Sequence, residues 1–183
     1  MRPEEGEMKR TRILIATDGS DFGTAAVDAA CSMIDPATTS VRVISAYAEA
    51  LPVAVDPAFI SEKYYEEVEA GNRELAKQIV ARAEDRIRRR VGAPSIDIKK
   101  MVVRGDADHE IVEAARRWKA DLVVIGSHGR GFWGRLLGSV SDGVVHHAPC
   151  SVLVVKTTDV RQLGLAPMTH VRARRKGREN VRA

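Results

Sequence analysis

Aromatic residues make up only 4% of this 183-residue chain, and cysteine occurs twice. So few rings argue against an aromatic-rich β-sandwich and leave Val, Ile, Leu and Ala to build the core, for which 44% hydrophobic residues are sufficient. Cys31 and Cys150 have neither metal-ligand spacing nor a disulfide framework around them, so both are expected to stay reduced and to pack as small hydrophobes. Long apolar runs are also missing. Nothing approaches the ~18 consecutive apolar residues of a membrane span, and MRPEEGEMKR at the start contains no apolar targeting core. A cytoplasmic location is the expectation. The chain has no Walker-type phosphate loop and no GxGxxG turn after its first strand, which argues against P-loop nucleotidases and dinucleotide enzymes.

The charge is uneven. Residues 159–183 hold seven Arg or Lys against Asp159 and Glu179, a net +5; with +4 for the whole chain, residues 1–158 carry −1. Basicity belongs to the tail, which weakens the case for a nucleic-acid-binding fold. The expected organisation is a polar extension (residues 1–11), one nucleotide-binding domain (12–158) and a basic tail (159–183) without fixed structure. Within the domain, strands are expected at Arg12–Thr17, Val41–Tyr47, Ile96–Val103, Asp121–Ile125 and Ser151–Lys156. Helices are expected at about Phe22–Ile34, Ile60–Val91 and Asp108–Trp118, with a short one in SVSDGVVHH after Ser139 as N-cap. On the long helix, Leu75, Ile79, Ala83, Ile87 and Val91 predict one apolar stripe. Arg82, Arg86, Arg88, Arg89 and Arg90 are expected mostly to face water, in Glu–Arg pairs at helical spacing. This alternation predicts an α/β fold, a doubly wound parallel sheet with helices on both faces.

Two turns stand at the carboxyl ends of strands, where such sheets bind ligands. The first is DGSD after RILIAT. The second is Gly126 to Ser139, GSHGRGFWGRLLGS, between the apolar strand DLVVI and a helix. A glycine-rich strand-to-helix loop aims backbone N–H groups and the positive end of a helix dipole at one spot, which suits an anion. A helix terminus alone contributes about 0.3 to 1 kcal/mol, whereas micromolar affinity needs about 8, so charge-assisted bonds and base burial must supply the rest.

ILIATDGS near the start, GSHG at Gly126–Gly129 and GSVSDGVVHHAPCSVLVVK from Gly138 to Lys156 resemble the universal stress protein family, in the family's order and over roughly Arg12 to Lys156. The resemblance implies ATP, or ADP or AMP, in an α/β fold, and homodimers, here through the Ser151–Lys156 edge strand. The sheet is then five-stranded, of order 3-2-1-4-5. By position it implies Ala16 and Thr17 beside the adenine, with Asp18 near the ribose or a phosphate-bound Mg or Mn. Backbone groups of Ala46 would meet the base. Gly126, Gly129, Gly138, Ser139, Val140 and Ser141 would surround the phosphates, with Ser127 in the same loop and Arg130 adding charge. A Cβ at Gly126 or Gly138 is expected to block phosphate approach. The loop departs from the family's usual spacing by one residue: eight residues, Arg130 to Leu137, separate Gly129 from Gly138. Gly131 and Gly134 are expected to absorb the difference.

Other readings stand beside these. Asp18 also suits an Asx turn with Gly19 and Ser20 or a cap on the first helix, and the glycines also suit a tight turn without ligand. His128, His146 and His147 read as surface or partly packed residues, because adjacent helical histidines point apart. Phe132 and Trp133 suit packing on their own domain, stacking on a base, or docking on a partner. Slow ATP hydrolysis is a second functional reading, though no base or arginine finger is evident beside the loop. A dimeric module whose tail, VRARRKGRENVR, binds nucleic acid or an acidic partner is a third.

Overall fold

Five strands and four helices alternate along the chain: β1 (Thr11–Ala16), α1 (Asp21–Cys31), β2 (Thr39–Tyr47), α2 (Glu62–Val91), β3 (Asp97–Arg104), α3 (Ala107–Trp118), β4 (Leu122–Gly126), α4 (Ser139–His147) and β5 (Ser151–Val155). A computed structural model describes residues 10–48, 62–93, 95–129 and 137–156. Residues 1–9, the basic tail, the proline-bearing connection before α2, Arg130, Phe132 and Trp133 lie outside the described residues. No helix among those described is long and apolar enough to cross a membrane.

The strands form one parallel sheet of order β3-β2-β1-β4-β5. Its period of two sorts the core. Ile13 and Ile15 of β1, with Val41 and Val43 of β2, pack under α1 and α2, whereas Leu14, Ala16 and Ile44 pack under α3 and α4. Both faces are covered, which is why the central strands read as unbroken apolar runs. The winding reverses between β1 and β4.

Boundaries differ from the sequence expectation by a residue or two at most strand ends, and α1 stops at Cys31 instead of Ile34. Ser32 caps it by donating its hydroxyl to the Ala29 carbonyl (2.7 Å), and Asp35, which precedes Pro36, starts a turn. The expected stripe on α2 is corrected too. Leu75 is exposed, and the helix buries Ala76, Ile79, Val80, Ala83 and Ile87. Positions spaced by four advance about 40° beyond a full turn at each step, so a run of them winds off the buried face.

The arginines of α2 correct a second expectation. Arg88 does pair with Glu84 four residues back (2.8 Å), but Arg86 and Arg90 turn inward onto Asp28 of α1. Arg86 meets both carboxylate oxygens, at 2.5 and 2.6 Å, and Arg90 reaches one at 2.9 Å. Asp28 is 5% exposed, so this cluster joins α1 to α2 through a carboxylate that water does not reach. Burial, and then the charge of Asp28, push the nearby Cys31 thiol up to about 11, and burial raises Cys150 as well. Both therefore stay protonated and inert at neutral pH, as a structural cysteine should.

Replacing Asp28 by Ala strands two arginines at the α1–α2 seam. Removing one partner of an enclosed ion pair costs roughly 3 to 5 kcal/mol; here the arginines keep part of their hydration, so urea unfolding should show a loss of about 2 kcal/mol. An unchanged midpoint would mean that the seam is held by apolar contact alone.

Candidate functional site

The carboxyl ends of β1, β2 and β4 open into a cavity of about 990 Å3 at the point where the winding reverses. Its walls contain ten of the twelve residues expected from the sequence: Ala16, Thr17, Asp18, Ala46, Gly126, Gly129, Gly138, Ser139, Val140 and Ser141. Ser127 is not in the wall, and Arg130 lies outside the described residues. Gly23, Ile44, Ala107, Ile111, Ile125, His128, Leu137 and Asp142 also line it, without having been expected there. Ile44, Ile111 and Ile125 read as ordinary core residues in the sequence; only their place at the ends of β2 and β4 and in the first turns of α3 gives them an open side. The cavity thus has an apolar end, built by these isoleucines with Ala16, Ala46 and Ala107, and a polar end at α4.

The turn after β1 is closed upon itself. Asp18 accepts hydrogen bonds from the backbone N–H of Ser20 (3.0 Å) and from its hydroxyl (2.6 Å), forming the Asx turn, while Ser20 caps α1 by accepting from the N–H of Gly23 (3.1 Å). Gly19 sits between them at φ 76°, where a side chain would be strained. One oxygen of Asp18 is thereby occupied within the turn, and Ser20, not Asp18, is the helix cap.

The glycine loop is latched at both ends by Ser127. Its N–H donates to the Val155 carbonyl of β5 (2.8 Å), and its own carbonyl accepts from the N–H of Gly138 (2.8 Å) and lies 2.9 Å from the Ser141 hydroxyl. The Ser141 hydroxyl is equally close to the Gly138 carbonyl (2.9 Å), so its one proton is shared between two internal acceptors. The Gly138 N–H and the Ser141 hydroxyl are thus both hydrogen-bonded within the latch.

Gly138, not Ser139, is the N-cap of α4 (φ −68°, ψ 156°), and no side chain caps this terminus. The N–H groups of Ser139, Val140 and Ser141, in the first turn of α4, have no intrahelical acceptor, so they and the dipole face the cavity. At α1, by contrast, the Ser20 side chain accepts from the N–H of Gly23. The first turn of α3 also borders the cavity; Asp108 and Glu110 there, like Asp142 in the first turn of α4, offset part of the positive end of the dipole.

The glycines do something other than clear a path for phosphate. A Cβ on Gly126 would lie 2.7 Å from the backbone carbon and oxygen of Phe22, and one on Gly138 would lie 3.3 Å from the Ser127 carbonyl oxygen. Both point into protein. Gly126 is needed because α1 crosses the end of β4 at backbone contact. His128 is partly packed: its ring meets that of Phe22 at 5.1 Å, and its Nδ1 is 3.1 Å from the Ser127 hydroxyl oxygen. His146 and His147 place their Nδ1 atoms 2.9 and 2.8 Å from the carbonyl oxygens of Asp142 and Gly143, one turn back on α4.

Residues 9–156 match the model of the universal stress protein family. The chain belongs to that family. A universal stress protein of Thermus aquaticus is 35% identical over 145 residues, covering 79% of this chain and 97% of the relative. Another, from Methanocaldococcus jannaschii, is 33% identical over 156 residues, covering 82% and 85%. Among solved structures, a universal stress protein in complex with cAMP is 28% identical, with a TM-score of 0.56 over 81% of this chain and 98% of its own. The two chains share the α/β fold, which makes the universal stress fold the frame of the cavity.

A Gly126→Ala variant should be destabilised whether or not ligand is present, because the new methyl group meets backbone and not a movable side chain. Overpacking of this kind costs roughly 1 to 3 kcal/mol. Urea unfolding of ligand-free protein should therefore show a loss of about 2 kcal/mol. Parental stability would show that α1 and β4 are not in backbone contact.

Proposed function

We propose that this universal stress protein is a cytoplasmic stress-response regulator that binds ATP, or the related ADP or AMP, in the cavity at the carboxyl ends of β1, β2 and β4. The observation that carries this reading is the uncapped N-terminus of α4, which faces a cavity with an apolar far end. The relative solved with cAMP supports an adenine nucleotide as the ligand class. In this reading the base lies at the apolar end among Ala16, Ala46, Ile44 and Ile111. The phosphates take the N–H groups of Ser139, Val140 and Ser141, while Thr17, Asp18 and Gly129 border the ribose. Among the described residues no group of three or more His, Cys, Asp or Glu stands ready to hold a metal ion, so no step is assigned to Mg or Mn.

Occupancy is read by a second copy of the chain. Among the described residues β5 pairs only with β4, and its other edge presents the apolar strand Ser151–Val155. Such an edge is a template for strand pairing. Ser127, which binds Val155, links that edge directly to the glycine loop. Light scattering should give twice the chain mass of 20.0 kDa; a single-chain mass would remove the dimer from this reading.

Ser139→Pro tests the phosphate end without disturbing the helix. Proline is favoured at the first helical position, and Gly138 already has the extended backbone that a following proline requires. The substitution deletes one N–H aimed at the cavity. Loss of one charge-assisted hydrogen bond, about 1.5 to 3 kcal/mol, should weaken ATP binding roughly ten- to hundredfold in calorimetry. Ser139→Ala, which keeps the N–H, should bind nearly as the parent does. Equal ATP affinity in Ser139→Pro and parent would show that the phosphates are not at α4. Mass spectrometry of whatever nucleotide co-purifies with the protein identifies the ligand.

A further inference from the structure

The opposite pole of the sheet carries a charge arrangement that the cavity does not use. In a doubly wound fold every crossover helix ends near the amino ends of the strands. Here the last turns of α2 and α3 hold Arg88, Arg89, Arg90, Arg116 and Arg117. Cations at helix C-termini answer the dipole and need no ligand to explain them. Arg12 and Arg42 are different: they stand on β1 and β2, on the sheet face that α3 covers, where a buried parallel sheet ordinarily places apolar residues.

Trp118, the last residue of α3, holds both. The Arg42 guanidinium lies over its ring at 4.6 Å from the centroid, and Arg12 donates to its backbone carbonyl at 3.1 Å. Among the described residues neither guanidinium has a carboxylate within salt-bridge distance. Asp121 accepts from the backbone N–H of Arg12 (2.9 Å) instead. Arg42 is half-buried; burial, and then the charge of Arg12, make its protonated form less favourable than in water, with only Asp97 opposing. In the neighbouring strand Lys99 is the register partner of Arg42, on the same face and exposed. Lys119, also exposed, follows Trp118. Four cations thus meet two carboxylates, Asp97 and Asp121, leaving a local +2. Two partly desolvated guanidinium groups, neither in a salt bridge, cost free energy in the empty protein, and a doubly charged anion would recover it.

We infer that Arg12, Arg42 and Lys99, set on the Trp118 platform, bind a phosphoryl group at the amino end of the sheet, at the pole opposite the nucleotide cavity. Guanidinium forks match phosphate oxygens two at a time, and the net +2 suits a phosphoryl dianion better than a single carboxylate. The group belongs either to a small phosphate ester or diphosphate, or to the backbone of a nucleic acid.

The Trp118 indole N–H resonance, assigned with Trp118→Phe, reports the site locally in the full chain, separately from cavity and tail. Titration with inorganic pyrophosphate should shift it. Arg42→Gln should weaken that response about tenfold, the loss of one charge-assisted hydrogen bond. Lys99→Gln, at an exposed position that does not threaten folding, should weaken it severalfold. Arg89→Gln, which removes the same charge from an exposed helix end, and Ser139→Pro, which alters the cavity, should leave it within about twofold. A short oligothymidine that moves the same resonance with the same dependence on Arg42 would identify the source as nucleic acid; a response to pyrophosphate alone would identify a small phosphoryl ligand. An unmoved resonance overturns the inference. So does an Arg89→Gln effect equal to that of Arg42→Gln, or a response to polyglutamate alone.

Discussion

The structure depends on the need of a parallel sheet to be covered on both faces. Parallel strands require crossovers, the crossovers here are helices, and each helix must return from the carboxyl end of one strand to the amino end of the next. All helix N-termini therefore gather at one pole and all C-termini at the other. The winding reverses between β1 and β4, and the carboxyl ends separate there into a cavity. Both the proposed nucleotide site and the cationic pole follow from that sorting. The N-terminal turns of α3 and α4 border the cavity, and the arginine-rich last turns of α2 and α3 lie at the other pole.

The central strands were legible because burial on both faces leaves little room for polar residues: ILIA and LVVI are continuous apolar runs, and helix–strand alternation then implies the layers. Ten of the twelve site residues that the family resemblance implies line one cavity, because those positions fall at the carboxyl ends of β1, β2 and β4 and at the start of α4. What escaped was everything decided by contact between distant segments. Nothing in the local sequence of Asp28 shows that it collects Arg86 and Arg90 from 58 and 62 positions away, and an arginine-rich helix reads as a solvated face until its neighbour is known. Trp118 and Arg42 gave no signal for the same reason. The role of Gly126 escaped differently: its presence was noted, but the object it makes room for is the backbone of Phe22 and not a ligand.

The division of labour among polar groups of the loop follows from the same distinction. A serine hydroxyl in a glycine loop can point to ligand or to protein, and the sequence does not say which. In the folded chain the Ser141 hydroxyl and the Gly138 N–H face inward onto Ser127, because a carbonyl buried at the end of β4 must be satisfied. The N–H groups in the first turn of α4 are left to face the cavity because no side chain at Gly138 caps them. Glycine at this cap is therefore informative through what it lacks, a side-chain acceptor, more than through backbone freedom.

This latch also bears on the shortened loop. Ser127 is bound to β5 through Val155 and to the start of α4 through Gly138, so the position of α4 relative to the sheet is fixed by two hydrogen bonds that do not involve residues 130–137. A difference of one residue between Gly129 and Gly138 leaves both bonds possible. The groups facing the cavity from α4 are thus placed by β4 and β5. Contacts made by the helix terminus are therefore set by the sheet.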